Sequence, residues 1–417
     1  MTRPPMGLDG RIEAFFGEHP PAILGVAVSG GSDSLALLVL LDEWRGIGGP
    51  ALHAVTVDHG LRAEAAAEAD AVARVCKARG IPHSTLRWHG WDGHGNLQDR
   101  ARRARYDLMA RWARETGIAC IAVAHTMDDQ AETFLMRLAR AAGVDGLSAM
   151  AACWEHAGVT FARPVLDAGR DELRAVLEDR GLCWAEDPTN ADEAFERVRA
   201  RAALTALAPL GIDAATLSSV AGHMADAREA LDMQMADVAR RIARIELGDV
   251  LIDRGGLAAL PAEIARRLLR EVLMWISGAD YPPRGAALSR ALDSVAGGDT
   301  LTLQGCRLIS RPCSVRVTRE ESAVRGHFVP VGEIWDGRWR LHGPARDDMR
   351  IGPLGRDGLR YCPDRKNSVL PAASLAASPA VWRGDTLLAA PLARLENGWQ
   401  AELVHRDRHD FAALVAH

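Results

Sequence analysis

Residues 23–41, ILGVAVSGGSDSLALLVLL, decide how this chain folds. Residues 23–28 (ILGVAV) form a short, unbroken apolar run, as expected of a strand buried on both faces. Ser29-Gly30-Gly31-Ser32-Asp33-Ser34 then turns the chain, and residues 35–41 are apolar over a helical length. A buried strand passing through a glycine-bearing turn into a helix is one unit of a parallel α/β sheet. Outward from it the alternation continues to residue 150. Residues 51–57 (ALHAVTV), 83–88 and 118–123 read as strands, and 63–79, 96–115 and 127–140 as helices. The expected fold is a Rossmann-like parallel sheet with helices on both faces, and ligands in such sheets sit at the carboxyl ends of the strands.

The turn itself carries the strongest chemical signal. Two glycines, Gly30 and Gly31, let the backbone approach an anion closely. N–H groups of the turn and helix start can hold phosphate oxygens, helped by the hydroxyls of Ser29, Ser32 and Ser34. Asp33 would repel a bare phosphate, so its sensible role is to hold a Mg²⁺ ion bridging the phosphates. The turn could instead be a plain βα connection with Asp33 as a cap, but such a turn needs no hydroxyl at three positions. A Walker A loop is excluded, because the chain's only lysines are Lys77 and Lys366 and neither fits GxxxxGK[ST].

Three more constellations stand out, the first two of them at the same edge. His125-Thr126-Met127-Asp128-Asp129-Gln130-Ala131-Glu132 follows the strand at 118–123. Asp129 and Glu132 are three apart and Asp128 and Glu132 four apart, so these carboxylates can share a helix face. An anionic cluster beside a phosphate site suits a metal ion or a cationic substrate, although negative charge also favours a helix N-terminus by itself. His125 is a candidate nucleotide contact or a core histidine. VDHGLR at 57–62 places His59 at the end of the second strand. The helix at 96–115 carries Arg100, Arg102, Arg103, Arg105, Arg111 and Arg114 against Asp99, Asp107 and Glu115, a face for phosphate or simply for solvent.

The SGGSDS loop resembles the SGGxDS pyrophosphate loop of the N-type ATP pyrophosphatases. With VDHGLR (57–62), NLQDRARRARY (96–106) and AHTMDDQAETFLMRLARAAGVDGL (124–147), the chain closely resembles the tRNA(Ile)-lysidine synthase family. The likeness continues through Arg163-Pro164-Val165 and GLCWAEDPTNAD (181–192). It is strong over residues 20–201 and beyond that rests on domain order. Two positions depart from the family pattern. Thr126 stands where a second histidine is usual, and Arg197-Val198-Arg199 where Arg-Asn-Arg is usual.

The resemblance implies a ligase that uses ATP, Mg²⁺ and free L-lysine to modify the wobble cytidine of the CAU-anticodon isoleucine tRNA. Asp33 and the loop would then serve the leaving pyrophosphate, and His59 and His125 the nucleotide. Asp129 and Glu132 would hold lysine, with either a possible base. Arg197 and Arg199 would order onto phosphates or the adenylate, and Arg100, Arg103 and Arg201 would meet tRNA. A tRNA thiolase is disfavoured because the seven cysteines include no CxxC pair. GMP synthetase is disfavoured because no glutaminase module precedes the first strand. A non-catalytic binder would not need carboxylates facing a phosphate loop.

Composition sets the remaining bounds. At 417 residues the chain should hold two or three domains, and 48% hydrophobic with 25% charged residues is ordinary for a globular protein. Net charge is −5, so no global basic field advertises RNA, and any RNA surface must be a local patch. No apolar run reaches the ~18 residues of a membrane span, and residues 1–17 lack a signal-peptide stretch, so the expected compartment is the cytoplasm. We expect a catalytic domain at 1–201, a mainly helical domain at 202–324 and a small β-rich, tRNA-binding domain at 325–417. That last segment has 13 basic against 11 acidic residues, with Trp335, Trp339, Trp382 and Trp399 as either RNA-stacking rings or core. The oligomeric state is open, a homodimer included.

Overall fold

The computed structural model describes residues 7–60, 64–89, 91, 97–185, 195–404, 411 and 413. The parts of the motifs at 61–62, 96 and 186–192 lie outside the described residues. The chain divides into two compact units, residues 1–228 and 229–417.

The first unit follows the alternation read from the sequence. Its elements are α1 (Leu8–Phe16), β1 (Ile23–Ala27), α2 (Ser32–Gly46), β2 (Ala51–Asp58), α3 (Glu64–Ala78), β3 (His83–Arg87), α4 (Leu97–Thr116), β4 (Cys120–Ala122) and α5 (Met127–Leu138). They continue through α6 (Val144–Leu147), β5 (Cys153–His156), β6 (Val159–Ala162), α7 (Arg170–Asp179), α8 (Glu196–Leu207) and the start of α9 (Ala214–Ile242). The six strands lie in the order β3-β2-β1-β4-β6-β5, all parallel except the β5–β6 pair.

β1 is buried over four of its five residues, and α2 buries Leu35 through Leu41 without a break. An apolar run with no polar face belongs at the centre of a layered core, and this one packs among Leu24, Val26, Ala54, Val72, Val165 and Leu173. The chain runs outward from β1 to β2 and β3, then returns to the other side of β1 as β4. That reversal is a topological switch point, and the loops leaving β1 and β4 open a crevice between them at the carboxyl ends. The SGGSDS turn leaves β1, and the His125–Glu132 constellation leaves β4.

The β5–β6 hairpin was not visible in the sequence pattern. Its turn takes Ala157 and Gly158 to φ of 50° and 76°, the backbone of a tight hairpin turn, but the strands are only four residues each. The first unit also runs past residue 201, where the catalytic domain was expected to end. Leu204 and Leu217 pack with Ala131, Phe134, Ala149 and Ala221, so α8 and the start of α9 share a core with α5.

The second unit holds the rest of α9 and a five-stranded antiparallel sheet in the order β7-β8-β11-β10-β9. Its strands are β7 (Ala243–Glu246), β8 (Asp249–Asp253), β9 (Leu301–Leu303), β10 (Cys306–Ser310) and β11 (Ser314–Arg319). The helices α10 (Arg254–Ala258), α11 (Ala262–Ser277) and α12 (Gly285–Gly297) lie between β8 and β9 in the chain. The antiparallel pair β10–β11 is thus one part of a larger sheet, with β9 beside β10 and β8 beside β11. A smaller β-rich body follows. It has a four-stranded sheet of β12 (Val329–Pro330), β14 (Arg350–Pro353), β15 (Pro379–Arg383) and β16 (Thr386–Ala389), with β13 (Trp339–His342) paired to β17 (Gln400–Leu403). Trp335, Trp339 and Trp399 are buried in its core, so these rings fill volume and do not stack on a partner; Trp382 is partly buried against the same core. Among the described residues no single helix is long and apolar enough to cross a membrane.

Candidate active site

The SGGSDS turn is held by its own hydroxyls. Ser34 Oγ accepts the Ser29 N–H at 3.1 Å and donates to the Gly31 carbonyl at 3.1 Å. It also lies 3.1 Å from Ser29 Oγ. Ser34 therefore shapes the loop, while Ser32 Oγ donates to Asp33 Oδ1 at 3.0 Å. The first intrahelical bond of α2 runs from the Leu35 N–H to the Gly31 carbonyl. The N–H groups of Ser32, Asp33 and Ser34 precede it and belong to the orphan donors of a helix start, which favour an anion.

The two glycines have different jobs. Gly30 sits at φ +91°, a conformation side-chain-bearing residues avoid, while a Cβ there would make only ordinary contacts, with Val72 at 3.6 Å and Glu68 at 3.9 Å. Gly31 is extended at φ −74° and ψ 164°, open to any residue, and a Cβ would meet nothing nearer than Ser29 Oγ at 3.8 Å. Gly30→Ala should cost about 1–2 kcal/mol of stability and weaken ATP binding. Gly31→Ala should leave the melting temperature unchanged and raise the KM for ATP, because there only a ligand contests the space. Thermal melts beside ATP titrations of both variants check this; equal losses in both would show that Gly31 has no ligand-facing role.

Across the crevice, α5 begins with a reciprocal cap. Thr126 Oγ1 accepts the Asp129 N–H at 3.3 Å, and Asp129 Oδ2 accepts the Thr126 N–H at 2.9 Å. The departure at Thr126 thus forms a capping box. Thr126→Val should cost about 1 kcal/mol and loosen Asp129, seen as a lower melting temperature together with slower turnover. An unchanged melt would show that the cap contributes nothing.

The other Asp129 oxygen, Oδ1, lies 3.6 Å from Arg170 and 3.7 Å from Arg197. Glu132 Oε1 accepts from Arg201 Nε at 2.6 Å and lies 3.6 Å from Arg170. Glu132 is 1% exposed, and its Oε2 has no hydrogen-bond partner among the described residues. Asp33 Oδ2 accepts from Arg170 Nε at 3.3 Å, and Asp128 Oδ2 accepts the Arg170 backbone N–H at 2.7 Å. Carboxylates from α2 and α5 therefore converge on arginines from α7 and α8.

The environments drive these acids apart. Burial pushes Asp33 above the usual aspartate range, with Arg170 and the Ser32 hydroxyl opposing and Asp129 adding to the rise. Burial likewise pushes Glu132 up, against the Arg201 hydrogen bond and with Asp129 assisting. Asp129 is just as desolvated, but Arg197, His125, the Thr126 N–H and Arg170 outweigh burial and hold it below its ordinary value.

The PP-loop domain family matches residues 7–208. A tRNA(Ile)-lysidine synthase from Ruegeria pomeroyi is 49% identical over 410 residues, covering 98% of each chain. The chain belongs to the tRNA(Ile)-lysidine synthase family. Two further tRNA(Ile)-lysidine synthases bear this out. One from Brucella anthropi is 34% identical over 97% of this chain and 92% of its own, and one from a Bradyrhizobium species is 41% identical over 67% and 81%.

Against the tRNA(Ile)-lysidine synthase pattern, the structure brings together Asp33, Asp129, Glu132, Arg197 and Arg201. Arg197 and Arg201 are four apart on α8 and share the face toward α5, so Arg201, expected on tRNA, pairs with Glu132 instead. Arg199 lies on the opposite, exposed side of α8, near Glu196. On α4, Arg100 and Arg103 are exposed, and Arg103 pairs with Asp99 at 3.1 Å. Arg102 and Arg105 are the ones whose charges reach His125, and Arg105 also reaches His59 and Arg197. His59 lies edge-on to Trp88, its ring centroid 5.9 Å away, at the end of β2. Gln130 exchanges two hydrogen bonds with the Met150 backbone and so is structural.

Arg170 is the site residue that sequence reasoning missed. It ties Asp33, Asp129 and Glu132 into one cluster, yet it opens an ordinary charged helix, RDELRAVLED. The one available signal was Gly169 before it, with the Arg163-Pro164-Val165 segment shortly upstream.

Proposed function

We propose that this chain joins free L-lysine to carbon 2 of the wobble cytidine of the CAU-anticodon isoleucine tRNA, forming lysidine through an adenylated tRNA. The observation that carries this reading is the buried Glu132 Oε2, without a partner among the described residues, beside Asp129 and across the crevice from a helix N-terminus of the pyrophosphate-loop type. An anion-binding loop alone would serve any nucleotide. A buried carboxylate with one oxygen still open asks for a further hydrogen-bond donor, and the lysine ε-ammonium is the donor this reaction consumes.

In the first step, the cytosine O2 attacks the α-phosphorus of ATP and pyrophosphate leaves. The open N–H groups at the start of α2 and the Ser29 and Ser32 hydroxyls would receive the departing charge. A Mg²⁺ ion fits here, since this ion takes one or two protein carboxylates and completes its shell with phosphate and water; Asp33, at the start of α2, is the carboxylate that would hold it. When bound it supplies charge neutralisation at the phosphates. Arg197, on the face of α8 that looks at the cluster, would orient the nucleotide phosphates with its planar fork.

In the second step, the lysine amine attacks carbon 2 and AMP leaves, and the ammonium must first lose a proton. Paired acids whose environments push their proton affinities apart divide the holding and the proton transfer between them. Asp129, held low, stays ionised and grips the ammonium; Glu132, held high, is the better proton acceptor. Exposed arginines such as Arg100, Arg103 and Arg199 suit the tRNA backbone, and the second unit, residues 325–417 above all, would grip the tRNA body. The reaction belongs where charged-tRNA precursors, ATP and lysine meet, in the cytoplasm.

The order of product release tests the scheme. With ATP, Mg²⁺ and the isoleucine tRNA, pyrophosphate should appear without lysine, and AMP only after lysine is added. AMP release that needs no lysine would overturn the two-step assignment.

A further inference from the structure

His125 leaves β4 at the crevice, and a neighbour not used so far determines its chemistry. Arg163 follows β6 and is 6% exposed. Its Nε–H donates to His125 Nδ1 at 2.9 Å, its Nη1 donates to the Ala151 carbonyl, and its guanidinium carbon sits 3.8 Å from the centre of the Trp154 ring. A guanidinium offers five N–H donors and no acceptor. His125 Nδ1 can therefore only be accepting, with its lone pair free of a proton. A neutral imidazole then carries its single proton on Nε2, which has no partner among the described residues.

We infer that Arg163 is a positioning residue that locks His125 as the neutral Nε2–H tautomer, making it a hydrogen-bond donor to an anionic oxygen of the nucleotide and unfit to be the base that deprotonates lysine. The last clause rests on the lysidine reading; the lock does not. The surroundings agree. Burial and then the Arg163 charge, with Arg105 and Arg102 on α4, push His125 down to about 3, against the opposing pull of Asp129 on α5. Doubly protonated His125 would put a second N–H against the Arg163 donor, so the geometry itself forbids the cationic ring. A donor that stays neutral across the physiological range also leaves the proton acceptor role to the carboxylates.

Arg163 is held on three sides, and the site would not accept any cation in its place. Lysine lacks the fork that reaches Nδ1 and the Ala151 carbonyl together, and it stacks less well on tryptophan.

The test is a long-range ¹⁵N–¹H spectrum of the full chain, ligand-free and labelled in its 14 histidines, with His125→Gln identifying the His125 signals. The wild-type protein should show His125 protonated at Nε2 and bare at Nδ1, with no titration between pH 6 and 8. In Arg163→Met the two tautomers should mix and a titration should enter that window; Arg163→Lys should keep the wild-type tautomer in part. A merely structural role for Arg163 would lower the melting temperature without moving these signals. Wild-type His125 protonated at Nδ1, or charged at pH 7, overturns the lock without reference to any variant, and so does an Arg163→Met spectrum identical to wild type. Pyrophosphate release should fall at least tenfold in Arg163→Met with the KM for lysine unchanged. A correct spectrum in a protein that releases no pyrophosphate with ATP and tRNA would instead sink the lysidine reading and leave the lock standing.

Discussion

Glu132→Gln is expected to lower lysine transfer by about 10²–10⁴-fold, the range of a lost general base, while pyrophosphate release with ATP and tRNA stays within a few-fold of wild type. The reason is geometric. Oε1 is committed to Arg201 at 2.6 Å, and Oε2 is buried with no hydrogen-bond partner among the described residues. Glutamine keeps the size and one acceptor oxygen but can neither take a proton nor balance an ammonium. Separate assays of adenylation and transfer on pre-formed adenylate check this. Equal losses in both steps would mean that Glu132 only supports the fold or the nucleotide.

The same residue sets a pH dependence. Burial raises Glu132 above its ordinary value, about 4.3, so the base form is lost at a higher pH than a solvated glutamate would show. Transfer should therefore rise with pH through a titration above that value, and Glu132→Gln should abolish this limb. For stability the sign is opposite to the usual acid. A raised folded-state value contributes stability present below the unfolded value and lost as pH rises through the folded one. Asp129, held low by Arg197, His125, Thr126 and Arg170 despite burial, contributes in the reverse sense and loses its contribution as pH falls.

The second large effect is at Asp33. Asp33→Asn should reduce pyrophosphate release by about 10²–10³-fold, the scale seen when one transition-state charge contact is removed, and raising Mg²⁺ should not restore it. Asparagine keeps the Ser32 contact and the helix start, so the melting temperature should hold. The Arg170 guanidinium, which Asp33 shares with Asp129 and Glu132, would then lean on the α5 acids alone. Full activity in Asp33→Asn would remove Asp33 from the pyrophosphate step and with it the proposed cation site.

Much of this was legible because period and punctuation act locally. The unbroken ILGVAV run, the glycines after it and the charged helix at 96–115 each state their own structure. The carboxylates of α5 were legible by spacing. What the sequence hid are partners brought in from afar. Arg170 lies 137 residues from Asp33 and looks like any helix-opening arginine. Arg201 and Arg197 differ from Arg199 only by which side of α8 they occupy, and that side is set by packing of Leu204 and its neighbours onto α5. The tryptophans of the second unit show the converse. Interleaved with arginine, they read either as stacking rings or as core, and burial decides: Trp335 at 0% and Trp399 at 2% exposure are core. The strand β7 was hidden because the amphipathic period of α9 runs into it without a glycine or proline break.

The central claim is that this crevice couples ATP cleavage to capture of free lysine on one particular tRNA. The most direct measurement is incorporation of labelled lysine into the transcribed CAU-anticodon isoleucine tRNA, with ATP and Mg²⁺, beside the CAU-anticodon methionine tRNA. Label in the isoleucine tRNA alone, dependent on ATP, is the expected result. Pyrophosphate release with no lysine incorporated into either tRNA would contradict the account, leaving the loop a nucleotide site and the acidic cluster without its substrate.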